Sequence, residues 1–259
     1  MDIDDFFQNV SPFLPQSYLT EIDLFNIQSI QEGFVEAVKL NQIAGIASYP
    51  ATQPIQSTLE LFRVPLYITA MRLISFIKQV NEFQKLGKSE QLHLVKLNLL
   101  TVCFFHSIFI YDPRTDSYHE QDTADPLFAR KEWIRTLNER FHSEMKHLRN
   151  DLLEIFQMDN NIIKLFYIIL LFSQQMSLVD STASSEINSA NIFRAQNVFT
   201  DLAYRYCLDQ YGPVEAPTLF ARYTLKILKL QQLVDHIKYT INDYMDTTQL
   251  SPLAQSLLG

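Results

Sequence analysis

The chain has 259 residues, 47% apolar and 19% charged, with a net charge of −8. That length can bury roughly 70–75% of its unfolded surface, so one large core is feasible, and the acidic balance without a lysine–arginine cluster excludes a nucleic-acid footprint on this chain alone. Two cysteines, Cys103 and Cys207, exclude a disulfide framework or a Cys-rich zinc module and fit a reducing compartment, nucleus or cytoplasm.

Residues 1–17 contain Pro12 and Pro15 and read as an extended arm before a single domain, 18–259. The opening MDIDDFF has neither the basic nor the apolar region of a signal peptide. A first helix is expected over about 19–40, capped by Thr20, with Leu24, Ile27, Ile30, Phe34 and Val38 as its apolar stripe. Residues 41–58 carry little charge and read as a mobile loop. Pro65 suits the first turn of a helix running to about Leu86, in which Ile74, Phe76, Ile77 and Val80 make two apolar faces. Ser89 is the expected cap of a helix over 90–108.

IFIYDPRTDSYHE follows as the one strand–turn–strand signal, with Asp112 and Pro113 at the turn. Residues 126–157 read as one or two helices, and Asp159 as the cap of an apolar helix, 160–176. The apolar run from Ile162 to Leu178 contains Lys164, Ser173, Gln174 and Gln175, and so reads as a buried helix rather than a membrane span. STASSEINSA is a polar loop, and a helix of about 190–210 follows. The last long helix, 217–245, carries Leu219, Tyr223, Ile227, Leu230, Val234, Ile237 and Ile241 at steps of three and four. Leu225 and Leu228 begin a second face beside Arg222, Lys226 and Lys229. That face meets either another subunit or more core.

Catalytic patterns are missing. His119-Glu120 lacks the second histidine of a zinc-protease helix, and His142 and His147 stand five apart, a poor spacing for one helix face. There is no phosphate-binding glycine loop, nucleophile elbow or CxxC. Neither an enzyme nor a resident metal or cofactor is expected.

The run FIKQVNEFQKLGKSEQLHLVK, residues 76–96, carries Phe76, Lys78, Gln79, Val80, Phe83, Leu86, Gly87, Glu90, Gln91 and Lys96. This ordered set resembles the centre of nuclear-receptor ligand-binding domains, most closely the liver X, farnesoid X and ecdysone receptor group. Asn81 stands where that family usually has proline. The opening YLTEIDLFNIQSIQEGFVEA resembles the family's first helix, ARYTLKILKLQQL its dimerisation helix and SPLAQSLL its activation helix.

The resemblance implies an all-α, three-layer antiparallel helical sandwich with one small two-stranded hairpin, acting in transcription regulation. It implies a lipophilic small-molecule ligand, an LxxLL-type coregulator peptide, and a homodimer or a heterodimer with a retinoid X receptor-like partner. It places a coregulator groove on Ile74, Lys78, Phe83, Gln91, Leu92, Val95, Lys96, Leu253, Ser256 and Leu257. Lys78 would cap the carbonyl end of the incoming helix, where the dipole is negative. Ser256 stands where the family has the opposing glutamate, and Leu258 where it has a tryptophan. A pocket would be lined by Phe62, Cys103, Phe104, His106, Phe109 and His236, and a dimer face by Arg222, Leu225, Lys226, Leu228 and Lys229. The alternative implied function is a ligand-independent dimerisation or corepressor-binding module with a filled pocket.

Overall fold

The computed structural model describes residues 17–42, 52–55, 57–130, 139–173 and 189–258. The expected arm, apart from Ser17, lies outside them, as do residues 43–51 of the expected loop and most of STASSEINSA.

Helix α1 (Glu21–Leu40) starts at Thr20, which exchanges hydrogen bonds with Asp23 in a capping box. Its buried stripe differs from the expected one at the first position. Leu24 is exposed, and Asp23 is buried in its place, paired with Arg205 at 2.6 Å. A charged partner on a neighbouring helix has replaced the expected apolar contact. Strand β1 (Thr52–Ile55) lies inside the segment expected to be a loop, and the short helix α2 (Thr58–Arg63) bridges its end and the helix expected from Pro65. Helix α3 (Pro65–Ile77) has Pro65 at its start and ends nine residues before the expected Leu86. A single turn, α4 (Asn81–Gln84), fills the remainder.

Helix α5 (Lys88–Phe109) begins at Gly87 rather than Ser89, because the Glu90 carboxylate reaches back to the Gly87 N–H at 2.6 Å. It is long and apolar enough to cross a membrane by composition, but 67% of its apolar window is buried inside the protein. The hairpin forms as β2 (Tyr111–Asp112) and β3 (Ser117–Tyr118). It belongs to a larger sheet than the two strands expected, ordered β1-β4-β3-β2, with β1 parallel to β4. Its fourth strand, β4 (Leu127–Arg130), corrects the start of the helix expected from residue 126: the backbone there pairs with β3 instead of coiling. Residues 131–138 lie outside the described residues, and helix α6 (Glu139–Phe156) completes that segment.

Asp159 caps helix α7 (Asn160–Leu171) by accepting from the N–H groups of Asn161 and Ile162. Nine of its twelve residues are buried, so it presents apolar side chains in every direction and sits between layers. At about 1.5–3 kcal/mol for each fully buried aliphatic or aromatic side chain, such a helix is held by packing rather than by propensity.

Helix α8 (Ser189–Tyr244) is two arms joined at Gly212, whose φ of 74° and ψ of 170° interrupt the helix. The left-handed φ costs glycine little, and Pro213 then opens the second arm. The arms fold back on each other. The rings of Tyr204 and Phe220 lie 5.4 Å apart, whereas a straight helix would hold them about 24 Å apart. A 3₁₀ turn (Thr247–Gln249) leads to the terminal helix α9 (Pro252–Leu258).

The elements stack in three layers. Helices α1 and α3 form one face, packed on α5 and α7 in the middle. The first arm of α8 lies beside α7, where Gln196 donates to the Ile169 carbonyl. Helix α6 and the second arm of α8 form the other face, joined by Lys226–Asp151 at 2.5 Å and Lys229–Glu144 at 2.8 Å. The protein is therefore the helical sandwich expected.

Candidate functional site

Helix α5 packs against both α3 and α9, which puts the expected groove elements side by side. Ile74 and Lys78 stand on the last turn of α3, and Leu92, Val95 and Lys96 on the first turns of α5. Ile74, Val95 and Leu253 are half-buried, while Lys78 and Lys96 are exposed. Leu92 is 55% exposed, an apolar side chain without cover from this chain. Two of the expected wall residues belong to the core instead. Phe83 is buried against Phe172, with ring centroids 6.3 Å apart, and Leu257 is fully buried. Gln91 holds the α4–α5 turn by donating to the carbonyls of Phe83 and Leu86 at 2.8 and 3.1 Å.

Helix α9 is docked. Arg63 donates through Nε and Nη2 to the Gln249 carbonyl, fixing the chain just before α9 to the end of α2. Asn242 Nδ2 donates to the Leu258 carbonyl at 3.0 Å, and Ala254, Leu257 and Leu258 are buried. The Ser256 hydroxyl donates to the Leu253 carbonyl at 2.7 Å. It serves its own helix and supplies no anion toward the groove.

The expected pocket residues part into three places. Cys103 and Phe104 line a cleft of about 90 Å³ between α2, α3, α5 and α6. Its walls are apolar (Leu61, Leu66, Ile108, Phe141, Met145), and Lys146 and Arg149 of α6 bring cations to it. His106 and Phe109 line a second cavity, of about 220 Å³, on the opposite flank of α5 against α1 and α7. Phe62 is fully buried and lines neither, and His236 is exposed and lines neither. One residue turns a helix by about 100°, and the buried positions nearest His236 on this arm are Leu233, Val234 and Ile237. His236 falls between them on the solvent side.

The second cavity has a charged floor that sequence spacing did not reveal. His106 Nε2 lies 2.8 Å from Glu120 Oε2, and its Nδ1 lies 2.9 Å from the Tyr167 hydroxyl. For a neutral ring, Nε2–H donates to the carboxylate and Nδ1 accepts from the tyrosine. Arg72, also buried, pairs with Asp125 and stands 3.6 Å from Glu120. Burial alone would raise the Glu120 carboxyl, but His106, Arg72 and Lys164 beside it hold it below the ordinary carboxylate value. Lys164 is pushed down to about 8 by burial, against the pull of Glu120 and Asp159. Its Nζ lies 4.8 Å from the centre of the Phe34 ring. Burial and the nearby Glu120 charge drive the Tyr167 hydroxyl well up.

On the second arm of α8, Leu225 and Leu228 are 66% and 49% exposed, so the second apolar face is not more core. The cations beside them turn toward α6: Arg222 stands 3.6 Å from Glu154, Lys226 pairs with Asp151 and Lys229 with Glu144. Hydrogen bonds from Lys229 and Arg140 hold the Glu144 carboxyl down at about 2.

Among the described residues no cluster of three or more histidine, cysteine or carboxylate side chains is placed to hold a metal ion. No family model matches the chain, and no curated protein is significantly similar to it.

Proposed function

We propose that the chain is a nuclear-receptor-like regulatory domain that captures a short coregulator helix and dimerises without needing a ligand. The observation that carries this reading is a docked α9 beside an open apolar position. Leu258 and Leu257 are buried, while Leu92, flanked by exposed Lys78 and Lys96, stays uncovered. A helix with leucines at i, i+3 and i+4 would bury them on Leu92, Val95 and Ile74, and Lys78 would meet its carbonyl end. The cleft of about 90 Å³ supports the ligand-independent form, since sites for drug-sized ligands run about 300–1,000 Å³.

Ser256 leaves the amino end of such a helix without its anion. Fluorescence anisotropy with an LxxLL peptide should show binding that weakens in Lys78→Ala and tightens in Ser256→Glu, each by about 0.3–1 kcal/mol. Equal affinity for all three proteins would sink the groove assignment.

The dimer face is proposed on Leu225 and Leu228, with the cations beside them fastening the arm to α6. Sedimentation of Leu225→Lys/Leu228→Lys should show a monomer where the wild type self-associates. The exposed positions limit the change in stability to about 0.5 kcal/mol each.

A second reading, a lipophilic ligand in the cleft, is favoured by its lining: aliphatic and aromatic walls with Lys146 and Arg149. Such a ligand would have to widen the cleft, and one with an acidic group would find its counter-charge on α6. Native mass spectrometry of the protein purified from cells would detect a retained lipid; its absence would leave the ligand-free form standing.

A further inference from the structure

The cavity on the α1–α7 flank of α5 takes no part in the groove, the cleft or the dimer face. Its floor holds a buried cation and a buried anion that face the same space. Lys164 is 7% exposed and Glu120 8%. Among the described residues, Lys164 Nζ makes one hydrogen bond, to Asn160 Oδ1 at 3.1 Å, so a group with three donors keeps two for the cavity. The rim repeats the pairing with exposed Lys39 and Asp122. The remaining wall is apolar, including Phe34, Val38 and Ile163.

We propose that this cavity binds a small zwitterion of the amino-acid class. Its carboxylate would sit on Lys164, its ammonium on Glu120, and its apolar remainder on Phe34, Val38 and Ile163. Charge balance selects the class. A lone anion would bring its charge to Glu120, and a lone cation would bring its charge to Lys164; a zwitterion answers both. Size selects the member. The volume of about 220 Å³ falls below the range of about 300–1,000 Å³ for drug-sized ligands and suits a molecule of amino-acid size.

Calorimetry on the full chain tests the assignment with L-valine, L-leucine and L-methionine, and with the single-charge analogues 4-methylpentanoate and 3-methylbutylamine. At least one amino acid should bind saturably, and both analogues should bind about tenfold more weakly or worse, since each forgoes one charge-assisted contact and brings its own charge beside the like one. Lys164→Met, close in shape, should lose the binding. Val35→Trp narrows the mouth from an exposed position without touching the charged floor, and should weaken binding whether or not Lys164→Met folds. No saturation by any of the three amino acids up to about 10 mM, the weak end for molecules this small, overturns the proposal. So does an analogue that binds as tightly as the best amino acid, or unchanged binding in both variants.

Discussion

Helix α5 separates two hollows of opposite character. Toward α3 and α6 it offers Cys103, Phe104 and Ile108 to an apolar cleft of about 90 Å³. Toward α1 and α7 it offers His106 and Phe109 to a cavity of about 220 Å³ with a charged floor. Both open to solvent, and they differ in what lines them. On the polar side the floor is held by directional bonds: His106 is fixed between Glu120 and Tyr167, and Arg72 stands behind Glu120.

The largest expected effect lies on the polar side. Arg72→Met removes the cation that pairs with Asp125 and stands 3.6 Å from Glu120, both of them buried carboxylates. Breaking a buried pair from one side costs about 3–5 kcal/mol, and urea unfolding should show a loss of that order. A loss under about 1 kcal/mol would mean the network is more hydrated than its burial implies, and the contrast between the two flanks would fail.

Stability against pH gives the next test. Burial lowers Lys164 to about 8 from an unfolded value of 10.5, so the unfolded chain binds the proton more tightly between those values. Stability from this group therefore rises with pH through that window, and below about 8 its penalty is present in full. Lys238, lowered by burial, adds a rise of the same sign. The buried tyrosines act oppositely. Tyr167, Tyr206 and Tyr223 are all raised, so their contribution falls once unfolded tyrosines ionise near 10. Glu120, lowered in the fold, contributes stability above its unfolded value of 4.5 that is lost as pH falls through its folded one. Cys103 and Cys207, raised by burial from 9.0, pull stability down above about pH 9 in wild type and variant alike, so the Lys164 contribution is read as the difference between the wild type and Lys164→Met from pH 8 to 10. The difference should be about 2 kcal/mol, at 1.36 kcal/mol per pH unit over the part of the window below tyrosine ionisation. Parallel curves would place Lys164 in water.

The two flanks were unequally legible from sequence. Periodicity found Tyr223, Ile227, Leu230, Val234, Ile237 and Ile241 on one buried stripe, because helix geometry alone decides it. The caps Thr20 and Asp159 were legible for the same reason: their partners lie within three residues. The charged floor was not. Arg72, the Glu120–Asp125 segment and Lys164 are far apart in the chain, and each residue reads as an ordinary surface one until the layers bring them together. Leu24 and His236 failed the same way. One was displaced from the stripe by the Asp23–Arg205 pair, and the other falls just off the buried face of its helix.

The smallest effect is expected on the apolar side. Ser107 lines the cleft, and its hydroxyl is spent on the Phe104 carbonyl of its own helix, at 2.7 Å. Ser107→Leu removes no contact between elements and adds apolar volume to a space of about 90 Å³. If that space is free, the added carbons fill it, and thermal unfolding should move by no more than about 1 kcal/mol, in the stabilising direction. If the walls are already in contact, the leucine overpacks them and costs about 1–3 kcal/mol. The sign therefore reads directly whether the cleft is a remnant of packing or a site held ready. A gain would keep open a small lipophilic occupant, and a loss would count against one and leave the charged flank of α5 as the better candidate for a ligand.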